Sequence, residues 1–158
     1  MTFPEFDENG DLPVDIYEAT LQKVVEHFGK GSLQRQVVAK RLAKIYKLAD
    51  STGKLSRFII YGSFVTAKEN PNDIDIFLVM SDDFSKNEYS GDVRRIFEHL
   101  QTENKIKASI FWMLEMSVAV NETIFIEGWQ SKRDNTKRGI IEVIKNDQKR
   151  NRAKSRAG

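Results

Sequence analysis

The chain has 158 residues, of which 40% are hydrophobic, and its formal charge at pH 7 is +2. This length suits one domain with its own core and is too short for two domains joined by long linkers. The sequence has no run near the roughly 20 apolar residues that span a membrane and no signal-peptide pattern. It also has no cysteine, which excludes disulfides, thiol catalysis and thiolate metal sites. We therefore expect a cytoplasmic protein without a membrane partner.

The N-terminal third of the chain predicts a leader and two helices. Residues 1–15 contain two prolines and a glycine without a regular period, which is typical of an extended leader that lies over the domain. From Ile16 the apolar residues recur at helical spacing up to Gly29, and Ser32 is the expected N-cap of a second helix that reaches about Ala49. The cationic residues of that second helix are expected on its surface, away from the apolar stripe: Arg35, Lys40, Lys44 and Lys47.

The rest of the chain alternates between strand and helix patterns. RFIIYG, residues 57–62, is a β-branched and aromatic run that ends at a glycine, and Ile74–Met80 is a second such run after a polar loop. We expect the two runs to be neighbouring strands of one sheet. The remaining predicted elements are a helix from about Gly91 to Gln101, a strand from about Ile106 to Leu114, a helix near Val118 to Trp129, and a last strand from Gly139 to Ile144. This order predicts a single α/β domain over residues 1–144, with helices that flank a mixed sheet.

The C-terminal residues 145–158 form a basic tail. They contain six Lys or Arg residues and one acid, so their charge is about +5 and that of the remaining chain is about −3. A basic tail without aromatic residues is typical of a solvated, flexible terminus. It also suits contact with RNA phosphates or an acidic partner, and both interpretations stay open.

The segment GSFVTAKENPNDIDI, which joins the first two predicted strands, carries the residues best suited to chemistry. Gly62 lets the backbone approach a ligand phosphate, and the amide and hydroxyl of Ser63 can donate hydrogen bonds to the phosphate oxygens. In Asp73-Ile74-Asp75 the two-residue period of a strand puts both carboxylates on one face. Such a pair suits Mg²⁺, or Mn²⁺, whose coordination is completed by water and substrate phosphates. The sequence therefore predicts a metal site at Asp73 and Asp75, beside a phosphate-binding turn.

A strand, Gly-Ser, about ten residues and Asp-x-Asp, in that order, resemble the signature of the nucleotidyltransferase superfamily, and the match spans about residues 58–80. With the leader GDLPVDIYEATL and the closing WQSKRDNTKRGIIEV, most of the chain resembles an uncharacterised family of small bacterial nucleotidyltransferase-like proteins. The resemblance implies a mixed sheet of the polymerase-β-like type. In active members it also implies transfer of a nucleoside monophosphate from a nucleoside triphosphate to a hydroxyl, with two metal ions held by carboxylates.

Active members of the superfamily usually take a third carboxylate from a later strand, expected here at residues 107–115. By strand alternation Ser109 stands at the central position, and the site is then degraded because serine is a weak ligand of Mg²⁺. If the strand is shorter or shifted, Glu115 completes the catalytic set with Asp73 and Asp75. Glu115 lies about 20 Å beyond Ser109 along an extended strand, so the two cannot occupy the same site. Both alternatives stay open.

Other polar and aromatic residues are less decisive. Thr66 and Lys68, in the loop after Ser63, are expected to contact the triphosphate, although a lysine in a polar loop is often only solvated. Trp112 and Trp129 lie among apolar residues and are predicted to be core anchors. The cationic residues before the last strand form either an anion-binding surface or a plain polar turn: Lys132, Arg133, Lys137 and Arg138.

Two functional hypotheses follow. The first is a Mg²⁺-dependent nucleotidyltransferase that modifies RNA, a protein or a small molecule, as enzymes of this kind do in toxin–antitoxin and phage-defence systems. The second is a degraded nucleotidyltransferase fold that binds RNA or a partner protein, as an antitoxin does. Metal-dependent binding of nucleotides distinguishes the enzyme hypothesis from the second one.

Overall fold

A computed structural model describes residues 3–98 and 108–146, and within these ranges five strands form one mixed sheet. The strands are β1 (Ile16–Ala19), β2 (Leu55–Tyr61), β3 (Ile74–Met80), β4 (Ala108–Leu114) and β5 (Ile140–Val143), in the spatial order β1-β5-β2-β3-β4. The helices are α1 (Leu21–Phe28), α2 (Leu33–Asp50), α3 (Gly91–Arg95), α4 (Glu115–Ala119) and α5 (Glu122–Gln130). A 3₁₀ turn, Ser63–Val65, follows β2, and another, Lys86–Glu88, precedes α3.

The sheet contains both parallel and antiparallel pairs. The central strand β2 is antiparallel to β3 on one side and to β5 on the other, whereas β3 and β4 are parallel, as are β1 and β5. Helices cover both faces of the sheet, and successive residues of one strand therefore pack in different hydrophobic clusters. Phe58 and Ile60 pack in the cluster that includes α1 and α2, and Ile59 packs with Val118 and Trp129 of α4 and α5. The expected α/β architecture with flanking helices is confirmed.

Two elements differ from the sequence-based expectation. The helix predicted from Ile16 begins at Leu21, and Thr20 is its N-cap, with a side chain that accepts a hydrogen bond from the Lys23 amide. Residues 16–19 instead form a strand that pairs with β5. Long-range pairing decides the structure of so short an apolar run. The helix predicted near Val118 is split into α4 and α5, which meet around Asn121. Parts of three predictions lie outside the described residues: the end of the helix after Gly91, the start of β4, and the tail from residue 147.

The leader packs on the domain, as expected. The Gly10 carbonyl accepts a hydrogen bond from the Ala67 amide at 2.8 Å, and the Leu12 carbonyl accepts one from the Gly139 amide at 2.8 Å. Leu12 is fully buried. A Cβ atom at Gly139 would overlap the Pro13 carbonyl oxygen, so the chain before β5 needs a glycine to lie this close. The leader therefore contacts both the loop after β2 and the turn before β5.

The described helices include none that is both long enough and apolar enough to cross a membrane.

Candidate functional site

The Gly-Ser turn and the Asp-x-Asp segment meet at one end of the sheet. β2 ends at Tyr61, which pairs with Asp75 in the antiparallel register of β2 and β3. Gly62 has a φ of 79°, in the region that favours glycine, and a Cβ atom there would overlap the Asp75 carboxylate. Only a residue without a side chain fits between the end of β2 and Asp75. The structure thus brings together the residues that the sequence pattern singled out.

Asp75 lies on the sheet face that α5 covers, and its environment disfavours the charged carboxylate. Ile74 and Ile76 are fully buried on the opposite face, so strand alternation directs Asp75 as predicted. Burial raises the pKa of Asp75, and the negative charge of Asp73 raises it further, while the charges of Arg138 and Arg133 act in the other direction. This unfavourable environment is one that a bound cation would relieve.

Asp73 and Ser109 are the neighbours of Asp75 that offer further oxygen ligands. Asp73 is exposed just before β3, and its charge acts directly on Asp75. In the parallel register of β3 and β4, Asp75 pairs with Ser109, which therefore holds the position where a third carboxylate was sought. Within the described ranges no group of three or more His, Cys, Asp or Glu residues is placed to hold a metal ion. The local donors are two carboxylates and a hydroxyl.

Glu115 lies away from this group. It follows the last pair of the β3–β4 register, Met80 with Leu114, whereas Asp75 is at the start of β3. Six residues of extended chain separate Glu115 from Ser109, or about 20 Å. The Glu115 carboxylate accepts a hydrogen bond from the Ser56 hydroxyl at 2.7 Å, at the opposite end of β2 from Gly62. The shorter-strand alternative is therefore wrong, because β4 extends to Leu114, and Glu115 is not a ligand of this site.

The two loop residues expected at a triphosphate have different environments. Lys68 is exposed and lines the cavity next to Gly62 and Ser63. Thr66 is buried, and its hydroxyl donates to the Ser63 carbonyl at 2.6 Å and accepts from the Lys68 amide at 3.2 Å. Thr66 shapes the loop internally and does not line the cavity. Of these two residues, only Lys68 is placed to meet a ligand.

Arg35 binds the backbone of the same loop, and the expectation that it lies on the surface of α2 is wrong. Its guanidinium is buried and donates five hydrogen bonds to backbone carbonyls, which belong to Phe28, Phe64, Thr66 and Lys68. Burial lowers the pKa of Arg35, but a guanidinium keeps its charge in proteins. Arg35 continues the buried stripe of Val38 and Leu42 at helical spacing, and this spacing was the signal that could have identified it.

A cavity of about 470 Å³ opens beside Asp75 and Gly62. Its size falls in the range of small-molecule sites. It is lined from three segments of the chain: the turn after β2, the start of β3 and the turn before β5. The lining residues are Gly62, Ser63, Lys68, Asp75, Lys132, Arg133, Asp134 and Arg138.

The turn before β5 supplies half of this lining, and the leader fixes part of it. The buried carboxylate of Asp11 lies 2.6 Å from Lys132 Nζ and 3.3 Å from Arg138 Nη1. Lys137 belongs to the same turn but does not line the cavity, and it lies 3.9 Å from a carboxylate oxygen of Glu127. Three of the four cationic residues of this turn therefore line the cavity. No sequence pattern indicated Asp11, which lies 121 residues from Lys132.

A family model described as a family of unknown function, DUF6932, matches residues 4–144, which is most of the chain. The chain therefore belongs to this family. No curated protein and no solved structure matches it.

Proposed function

We propose that this member of the DUF6932 family binds a nucleoside triphosphate with Mg²⁺ or Mn²⁺ in the cavity at Gly62 and Asp75, and transfers the nucleoside monophosphate to a hydroxyl. The observation that supports this most is the close approach of Gly62 to the Asp75 carboxylate. It brings the Gly-Ser turn, which we propose binds phosphate, next to the Asp75 carboxylate of the acidic pair. The two halves of the motif that resembles nucleotidyltransferases in sequence are therefore neighbours, which supports the proposal.

Each group of the site has a role in this proposal. Ser63, which begins the 3₁₀ turn after Gly62, offers its amide and hydroxyl to the phosphate oxygens. The carboxylates of Asp73 and Asp75 would hold the metal ion, with Ser109 as a weak neighbour and the substrate phosphates completing its coordination. The chemistry that Mg²⁺ supplies in such a site is to polarise the phosphate and neutralise the charge that develops on its oxygens.

The reaction is a substitution at the α-phosphorus. A bond forms from the acceptor hydroxyl oxygen to that phosphorus, the bond from the phosphorus to the bridging oxygen of the β-phosphate breaks, and pyrophosphate leaves. The hydroxyl proton passes to water. RNA, a protein side chain or a small molecule could provide the hydroxyl, and a toxin or antitoxin partner is one such protein. The chain's own residues contribute by holding the triphosphate in position and by lowering its electrostatic repulsion.

A second candidate is a binding module that does not turn over, which docks RNA or a partner protein as an antitoxin does. The register of Asp75 with Ser109 favours it, because the position beside Asp75 carries a hydroxyl in place of a carboxylate. Two carboxylates hold a single divalent cation more readily than the two ions of an active transferase. To distinguish the two candidates, the binding of nucleotide and metal has to be measured separately from transfer.

Titration calorimetry with ATP, GTP, CTP and UTP, each with Mg²⁺ or Mn²⁺, tests the binding step. We expect metal-dependent binding of at least one nucleotide, and its loss in Asp73→Asn and Asp75→Asn. Glu115→Gln is the matched control, since it removes a carboxylate at the far end of β4 and should bind as the parent does. If no nucleotide binds in a metal-dependent way to the parent, the proposal is wrong. Pyrophosphate release with an RNA acceptor then separates the transferase from a module without turnover.

A further inference from the structure

The cavity has an acidic side and a cationic side, and Gly62 lies between them. β2 lies between β3 and β5 and is antiparallel to each. The C-terminal end of β2 and the N-terminal ends of β3 and β5 therefore lie at the same end of the sheet. Asp75 belongs to the β3 side. Lys132, Arg133 and Arg138 belong to the turn before β5, on the other side of the central strand.

The charges that line the cavity are predominantly positive. Four cationic side chains face two acidic ones, Asp75 and Asp134. Asp134 is engaged within its own turn, where one carboxylate oxygen accepts hydrogen bonds from the amide and the hydroxyl of Thr136 at 3.0 and 2.5 Å. These bonds lower the pKa of Asp134 and fix the shape of the turn. Asp134 therefore stays negatively charged, and the four cations still outnumber the two acids that line the cavity.

Asp11 positions two of the cationic side chains, but its single negative charge neutralises only one of their two positive charges. One buried carboxylate contacts Lys132 and Arg138, whose side chains are 22% and 19% exposed, so the trio keeps a net positive charge. Lys68 and Arg133 are exposed at the cavity, and within residues 3–98 and 108–146 neither forms a side-chain ion pair. Lys132 and Arg138 are thus held in place by Asp11. Lys68 and Arg133 lie at the same cavity and are available to bind an anion.

We infer that the turn of residues 131–138 and Lys68 form an oligophosphate subsite, which takes the phosphates distal to the reacting one, with Asp11 as its positioning residue. The cationic side binds the terminal phosphates and the acidic side meets the proximal phosphate. This inference rests on the proposed function for the molecule that carries the phosphates, a nucleoside triphosphate. The binding of oligophosphate itself is independent of transfer and of metal.

Inorganic tripolyphosphate in buffer with EDTA is the direct probe, because it carries the phosphates without a nucleoside. Calorimetry should show binding at least tenfold tighter than that of inorganic phosphate, weakening as salt is added. Lys132→Met and Arg133→Met should each lower the affinity by about tenfold, since each removes a charged hydrogen-bond donor. Lys137→Met is the matched control, because Lys137 lies in the same turn but does not line the cavity. The affinity of this variant for tripolyphosphate should stay within about twofold of that of the parent.

Asp75→Asn separates this inference from the proposed function. Removing the carboxylate lowers repulsion in the cavity, so tripolyphosphate in EDTA should bind at least as tightly as to the parent. Metal-dependent ATP binding should instead be lost. If tripolyphosphate binds in this way and no nucleotide does, the subsite stands and its natural ligand is a free oligophosphate, while the proposed function fails.

Asp11→Asn tests the positioning role. The lost negative charge alone would strengthen anion binding, so a fall in tripolyphosphate affinity, expected to be about threefold, reports lost positioning. The fall should vanish in a background of Lys132→Met with Arg138→Met, and thermal melting confirms that each variant is folded. The inference is overturned if Lys132→Met and Arg133→Met bind as the parent does, or if Lys137→Met weakens binding as much as they do. Tripolyphosphate that binds no tighter than phosphate overturns it as well.

Discussion

Ser109 is the direct partner of Asp75 in the parallel register of β3 and β4. Both residues belong to the sheet face that α5 covers, because the side chains of paired residues on neighbouring strands point to the same face of the sheet. A carboxylate at position 109 would therefore lie beside those of Asp73 and Asp75. The chain has a hydroxyl there, which offers a neutral and weak ligand to a divalent cation.

Ser109→Asp should create the missing third carboxylate. We expect the affinity for Mn²⁺ with nucleotide to rise by at least about tenfold, since a charged oxygen ligand replaces a neutral one. Calorimetry measures the affinity, and pyrophosphate release shows whether transfer rises with it. Ser109→Asn is the control, because it adds a side chain of the same size without charge. Equal Mn²⁺ affinity in the Asp and Asn variants would show that position 109 does not face the metal site.

Gly62→Ala should destabilise the fold and abolish nucleotide binding. The substitution has two costs, the positive φ of 79° and the overlap of the new Cβ with the Asp75 carboxylate. Gly53→Ala is a matched control, because Gly53 has a φ of 68° and a Cβ added there would meet no atom within 4 Å. Gly53→Ala should lower the free energy of unfolding by about 1 kcal/mol, and Gly62→Ala by at least about 2 kcal/mol. Urea denaturation gives both values, and equal losses would contradict the close approach.

Elements with a strong local pattern could be predicted from the sequence. The long α2 follows from the apolar spacing after Ser32, whose side chain does accept a hydrogen bond from the Arg35 amide. β3 was predicted with its observed bounds, because IDIFLVM is apolar and β-branched between polar segments. β2 and β3 were expected to be neighbours because they are two buried runs that follow one another in the chain, separated by a polar loop. The Gly62 and Asp75 constellation came from the same local information.

Features that depend on distant residues could not be predicted. β1 has four residues whose apolar pattern also continues into α1, and only its pairing with β5 makes it a strand. Asp11 meets Lys132 and Arg138 through contacts across more than 120 residues, which leave no trace in local spacing. The end of β4 at Leu114 excluded Glu115, and strand ends depend on the neighbouring strand as much as on the sequence.

Asp75→Asn should stabilise the metal-free protein at neutral pH. Burial and the charge of Asp73 raise the pKa of Asp75 in the folded state, so the folded protein holds its proton more tightly than the unfolded chain does. The favourable contribution of this group is fully present below the unfolded pKa, about 3.9, and is lost as the pH rises through the higher folded value. Asp75→Asn removes that loss, and its melting temperature in EDTA should exceed that of the parent at pH 7. The difference should shrink towards pH 4, and a gain that does not depend on pH would contradict this origin.

Arg35→Met should be among the most destabilising substitutions in α2. The guanidinium is the donor to four carbonyls, those of Phe28, Phe64, Thr66 and Lys68, and its loss leaves these acceptors without their charged partner. We expect the free energy of unfolding to fall by about 3–5 kcal/mol, as when one member of a buried charged network is removed.

Arg35→Lys tests the geometry of that network, because an ammonium has three donors and no planar fork. It should recover part of the loss and still cost about 2 kcal/mol. Lys40→Met is the control on the same helix, since Lys40 is exposed and its substitution should change stability by less than about 0.5 kcal/mol. Arg35→Lys should also weaken nucleotide and tripolyphosphate binding, because Arg35 donates to the carbonyls of Phe64, Thr66 and Lys68 in the loop that begins at Ser63. A lysine variant as stable as the parent would show that charge alone, without the fork of donors, holds the loop.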